Sequence, residues 1–218
     1  MITGGGAGLS YSSSNGVAII EAACSPAALI AFPIFLSLYL WPLFRQIDGH
    51  QQAAPLSLRR RYGTFLLDCM VLLGVITVPA ALVALVIESF HTGDFAWRIA
   101  RHTGSPADPA IMATLWITMA LFVLLLALPV GLQKQSSGGL MTGAYVQTPK
   151  RSILKALGRV IFSAIVFMLA IISIPITWGR NDRCFWHDLV FNATPVRLRN
   201  PTHNALRYYR DALSMPHD

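Results

Sequence analysis

Asp68 stands inside Arg61-Tyr-Gly-Thr-Phe-Leu-Leu-Asp68-Cys-Met-Val-Leu-Leu-Gly-Val-Ile, a carboxylate a few residues into an apolar run long enough to cross a bilayer. Insertion scales put an aspartate at the centre of a membrane helix at about 2.5 to 3.5 kcal/mol, so it is expected to be protonated or partnered. Two chemistries are open to it. A carboxylate held in a low-dielectric site is what ion or proton coupling needs, whereas one that accepts hydrogen bonds from a neighbouring segment pins a helix bundle. Arg61 precedes it by seven residues, which on a helix is one face and about 10 Å. The pair is therefore not expected to touch. Arg61 belongs at headgroup level, and Asp68 needs a donor from another helix or from a loop folded into the bundle.

A second charged stretch, Gly179-Arg-Asn-Asp-Arg-Cys-Phe-Trp-His187-Asp188, follows the last apolar segment. Histidine titrates near neutral pH, which opens a sensing or relay role; the plainer reading is a His-Asp pair that caps local backbone at the membrane surface. No nucleophile converges with a base, so no catalytic residue is assigned and the chain reads as a non-enzyme. Cys24, Cys69 and Cys184 are isolated thiols without Cys-x-x-Cys spacing, and no regular ligand set supports zinc or another metal. Gly138, Gly139 and Gly143 have no Gly-Lys-Ser/Thr after them and no strand before them, so backbone turns explain them better than a phosphate loop. Asn192-Ala-Thr194 matches a glycosylation tripeptide, but Pro195 follows it directly. No cofactor is implied.

The elements that must position these groups are membrane helices. The chain is 54% hydrophobic and 12% charged, against about 25% charged residues in ordinary soluble domains. Ala22–Phe44, Tyr62–Ile87 and Ala110–Leu132 each hold the ~20 apolar residues that span a hydrocarbon core, and Val160–Trp178 is marginal in length. The fold class expected is all-α: a polytopic transmembrane bundle of three to four segments, the last of them re-entrant in one version. Residues 1–16 are Gly/Ser-rich and read as a flexible tail. They contain no Lys or Arg, so the first segment is expected to stay in the mature chain. Pro26, Pro33 and Pro42 should kink it, and Trp41 suits an interfacial anchor. The Ser89–Pro109 loop reads as holding a short interfacial helix, and Gln135–Gly143 as a Gly/Ser loop. The third segment has no ionisable residue and is expected to face lipid.

Lysines and arginines number none before the first segment, four in loop one, two in loop two, five in loop three and six in the tail. Four true spans would leave nine against eight, which is no asymmetry. If residues 152–178 enter and leave on one side, the split is fifteen to two, the bias of the positive-inside rule. The net charge of +7 thus points to anionic headgroups and topology control, not to nucleic acid.

Three separated pieces, taken in order, resemble the RDD family, small prokaryotic membrane proteins named for one arginine and two aspartates. The arginine falls on Arg61, the first aspartate on Asp68 and the second on Asp188, with His187 as its companion. The family's central loop is matched by Gln135, Gly138, Gly143 and Val146, with Gly139 where the family carries a lysine. The family's ending is matched by His187-Asp188, with Thr194 one residue late. The resemblance covers residues 56–198. It leaves 17–55 as an additional N-terminal transmembrane segment with its basic loop and 199–218 as a C-terminal tail. It implies a multi-pass protein of the prokaryotic inner membrane, in a family whose members mostly lack an assigned function, a few being linked to cation/proton antiport. The extra segment, the tail and the departures in the loop imply an accessory or scaffold subunit, partnered by lipids and by other membrane subunits or its own copies. The alternative implied is a cation/proton transporter or transporter subunit with Asp68 as carrier.

Overall fold

The computed structural model describes residues 6–14, 17–45, 53–148, 151–168, 188 and 190–198. Among the described residues three helices are long and apolar enough to cross a membrane: α1 (Pro26–Phe44), α2 (Leu58–Thr92) and α3 (Asp108–Gly131). The Ser25 hydroxyl accepts the Ala28 amide at 3.2 Å and Pro26 opens the first turn of α1, so this helix starts four residues later than the apolar run in the sequence. At 35 residues, α2 is about 52 Å long, well beyond a hydrocarbon core of ~30 Å, and its ends carry charges outward. It ends at Gly93, whose φ of 82° is the left-handed cap that glycine adopts at no steric cost.

α2 is the central element. In its most apolar window 44% of residues are buried inside the protein, against 17% for α1 and 11% for α3, so α3 is the most outward-facing span, in keeping with the lack of ionisable residues between Ala110 and Leu132. Tyr39, Val71, Leu72 and Val75 form one core layer, with Phe35, Phe122 and Leu126 packed on it. A methyl group at Gly74 would collide with the Phe35 ring, so α1 and α2 approach closely there. The Tyr39 hydroxyl donates to the Leu125 carbonyl at 2.8 Å and ties α1 to α3.

The molecule is mostly helical, as the expected bundle requires, but not all-α. Two three-stranded antiparallel sheets cap opposite ends of the bundle. At the end where α1 begins, β1 (Ala7–Ser14), β2 (Val17–Cys24) and β4 (Arg98–His102) pair in the order β1-β2-β4. Residues expected as a flexible tail are thus, over 7–14, a strand, and the expected interfacial helix between α2 and α3 is replaced by β4. The cause is the period-2 pattern of β2: Ile20, Ala22 and Cys24 are buried while Glu21 is exposed. That face packs against Val78, Ala81, Ala84 and Leu85 of α2 and Ile111 of α3.

At the other end, β3 (Ala53–Pro55), β5 (Ala144–Gln147) and β6 (Thr194–Leu198) pair in the order β3-β6-β5. The expected Gly/Ser loop contains α4 (Ser137–Thr142), capped by the Ser136 hydroxyl, which accepts the Gly139 amide at 3.1 Å. α5 (Ile153–Met168) begins at this end. The remainder of the fourth apolar segment lies outside the described residues, as do His187, Cys184 and the 199–218 tail. β6, far along the chain, sits beside β3 and β5, so Asp188 and residues 190–198 are at the end from which α5 departs.

Candidate functional site

The arginine and both aspartates of the sequence motif come together at the end of the bundle that carries β3, β5 and β6. Arg61, in the first turn of α2, donates from Nη2 to Asp188 Oδ2 at 2.6 Å. Arg159, in α5, donates to Asp188 Oδ1 from Nε at 2.9 Å and from Nη2 at 2.7 Å. The Asp188 side chain is fully removed from solvent, and those of Arg61 and Arg159 are 9% and 15% exposed. Two guanidiniums thus surround this buried carboxylate, the partnering that a buried charge requires. The arrangement joins the start of α2, the middle of α5 and the segment leading to β6.

Asp68 does not touch Arg61. Its Oδ1 accepts the Gly138 amide at 2.6 Å. The donor comes from the loop folded against the bundle, as the depth of Asp68 in α2 requires. Gly138 is needed there because a side chain would meet the Thr64 carbonyl and the Leu67 side chain of α2. The loop is held further by Gln135, buried, whose Nε2 donates to the carbonyls of Gly139 and Ala144 at 2.8 and 3.0 Å. Gly143 closes α4 with a φ of 72°. Thr64 and Thr142 share a hydrogen bond at 2.6 Å, and Ser137 donates to the Leu38 carbonyl of α1 at 3.0 Å. A lysine at position 139 has no room: its Cβ would lie 2.7 Å from the Ala144 carbonyl.

Asp68, Arg61, Arg159 and Asp188 line one cavity of about 140 Å³, with Lys134 on its rim and Phe65, Leu126, Val130 and Val160 among its apolar walls. That is room for several waters. Among the described residues no three His, Cys, Asp or Glu side chains group as a metal site would.

Sequence reasoning read Arg159 only as part of a basic approach to the fourth segment and did not assign it to the site. Its signal was of the same kind as that of Asp68: an ionisable residue leading directly into an apolar helical run, here Val-Ile-Phe. It also missed a second cluster at the opposite end. Arg101 of β4 forks onto Glu88 of α2, with Nε and Nη2 each 2.7 Å from a carboxylate oxygen, and its Nη1 lies 2.6 Å from Asp108 of α3. The hydrogen bonds to Glu88, and with less weight those to Asp108, raise the affinity of Arg101 for its proton while burial works the other way. Asp108 also accepts the amides of Gly104 and Ser105. This cluster clamps β4 to the ends of both helices.

Comparison with protein-family models, with curated proteins and with solved structures found no match.

Proposed function

We propose that the chain is a non-enzymatic integral membrane protein of the RDD type, an accessory or scaffold subunit of a complex in a prokaryotic inner membrane. The observation that carries this reading is the engagement of both motif carboxylates in holding the fold. Asp188 is enclosed by two arginines, and Asp68 accepts the amide that seats loop three on α2. The RDD reading draws support from Arg61, Asp68 and Asp188 lining one cavity although they are spread over 128 residues.

The same reading has residues 152–178 entering and leaving on one side. It is supported by the pairing of β6 with β3 and β5, which returns the chain to the end where α5 began. Fifteen of the 17 lysines and arginines then fall on that side, which the positive-inside rule makes cytoplasmic. The outward faces of α1 and α3 suit lipid, a second copy or another membrane subunit.

A second reading, cation/proton antiport through Asp68, draws on the position of Asp68 in the wall of a cavity. Against it, the described walls hold three cationic side chains to two carboxylates, a field that opposes a bare cation. Purification in mild detergent and reconstitution into proteoliposomes separate the two. The scaffold reading expects a stable co-purifying partner and no cation-dependent proton flux. Flux that Asp68→Asn abolishes in a folded protein overturns it in favour of transport.

A further inference from the structure

We propose that the cavity at the basic end of the bundle binds a phosphate oxyanion, supplied by the headgroup of an anionic phospholipid. Its described walls carry Arg61, Lys134 and Arg159 against Asp68 and Asp188, a formal excess of one positive charge. The two carboxylates are already directed elsewhere, Asp188 between the two guanidiniums and Asp68 at the Gly138 amide. Arg159 and Lys134 are not used up in the same way. Arg159 binds Asp188 through Nε and Nη2, and its Nη1 makes no hydrogen bond among the described residues. Lys134 donates to the neutral Arg45 carbonyl at 3.2 Å and forms no ion pair among the described residues.

The remaining wall has the opposite character. Phe65 of α2, Leu126 and Val130 of α3 and Val160 of α5 line the same space, and α3 is the span least buried by the rest of the protein. A charged mouth joined to an apolar wall suits an amphiphile whose phosphate sits by Lys134 and Arg159 while an acyl chain follows α3. Basic pockets between membrane helices recognise anionic headgroups in this way. The cavity volume of about 140 Å³ admits a phosphate group.

The test uses the full chain in detergent, titrated with phosphatidylglycerol, phosphatidylcholine or inorganic phosphate, and reads lipid retention by native mass spectrometry together with the thermal midpoint. Phosphatidylglycerol is expected to be retained at about tenfold lower concentration than phosphatidylcholine and to raise the midpoint. Lys134→Gln should weaken that retention about fivefold, the worth of one lysine near such a headgroup, and Ser163→Leu, which fills the cavity, should remove it. A midpoint shift with inorganic phosphate alone, lost in the same variants, supports the oxyanion site and assigns it to a free anion. Equal retention of the two lipids, or a phosphatidylglycerol preference unchanged by Lys134→Gln, overturns the proposal. Lys134 is partly exposed and outside the Asp188 network, so this variant decides the matter even if Ser163→Leu does not fold.

Discussion

Arg61 and Asp188, 127 positions apart in the chain, meet at 2.6 Å in the buried end of the bundle, and Arg159 completes the enclosure of the carboxylate from the other side. A buried ion pair of this kind contributes little over a well-packed apolar substitute, because desolvation offsets most of the Coulomb attraction. Breaking it from one side is another matter, since a charge is left buried without its counterpart.

Removal of the carboxylate by Asp188→Ala therefore leaves two guanidiniums facing each other and is expected to cost about 3 to 5 kcal/mol. The Arg61→Met/Asp188→Leu double variant should lose clearly less than the sum of its single variants. Unfolding in detergent of the four proteins of this cycle measures the coupling; strictly additive losses would show that Arg61 and Asp188 act independently.

At Gly138 the same substitution that is harmless elsewhere on this end should be damaging. A methyl there runs into the Thr64 backbone and the Leu67 side chain, so Gly138→Ala is expected to cost about 1 to 3 kcal/mol by overpacking and to lift the amide away from Asp68. Gly63, in α2, has open space around a would-be Cβ, and Gly63→Ala should stabilise the helix by about 0.5 to 1 kcal/mol. Thermal midpoints moving in opposite directions bear this out; a neutral Gly138→Ala would mean that loop three does not press on α2.

At the far end, Glu88→Gln keeps the size of the side chain but removes the charge that receives the Arg101 fork. A loss of about 2 kcal/mol is expected, the scale of hydrogen bonds to a charged group. It should appear locally: hydrogen exchange across Arg98–His102 accelerates while the Asp188 end keeps its protection. Uniform acceleration over the whole chain would show that the clamp does not act on β4 in particular.

The spans were legible because 20-residue apolar runs have few soluble alternatives, and the need of Asp68 for a donor from a folded loop followed from its depth in α2. The strands were not. β1 reads Ala-Gly-Leu-Ser-Tyr-Ser-Ser-Ser, a composition shared with linkers, and becomes a strand because β2 pairs along all eight of its residues. In β2 the alternation of Ile20, Ala22 and Cys24 merges with the apolar run of α1, so only the Ser25–Pro26 cap separates strand from helix. The charged clusters were hidden for a different reason. Arg159–Asp188 and Glu88–Arg101–Asp108 depend on which elements distant in the chain become neighbours, and no local period encodes that.

Sidedness offers the sharpest check on the architecture. Arg151 and Thr194 are exposed, one just before α5 and the other on β6, and the pairing of β6 with β5 puts them at the same end of the bundle. Ala100, exposed on β4, lies at the opposite end. With Cys24, Cys69 and Cys184 replaced, single cysteines at 151, 194 and 100 are expected to react with a membrane-impermeant maleimide in two groups: 151 and 194 from one face of sealed vesicles, 100 from the other. Were residues 152–178 a single full crossing, 194 would label with 100. That result would separate β6 from β5 by the thickness of the membrane, remove Asp188 from the reach of Arg61, and with it dissolve both the ion-pair network and the cavity built on it.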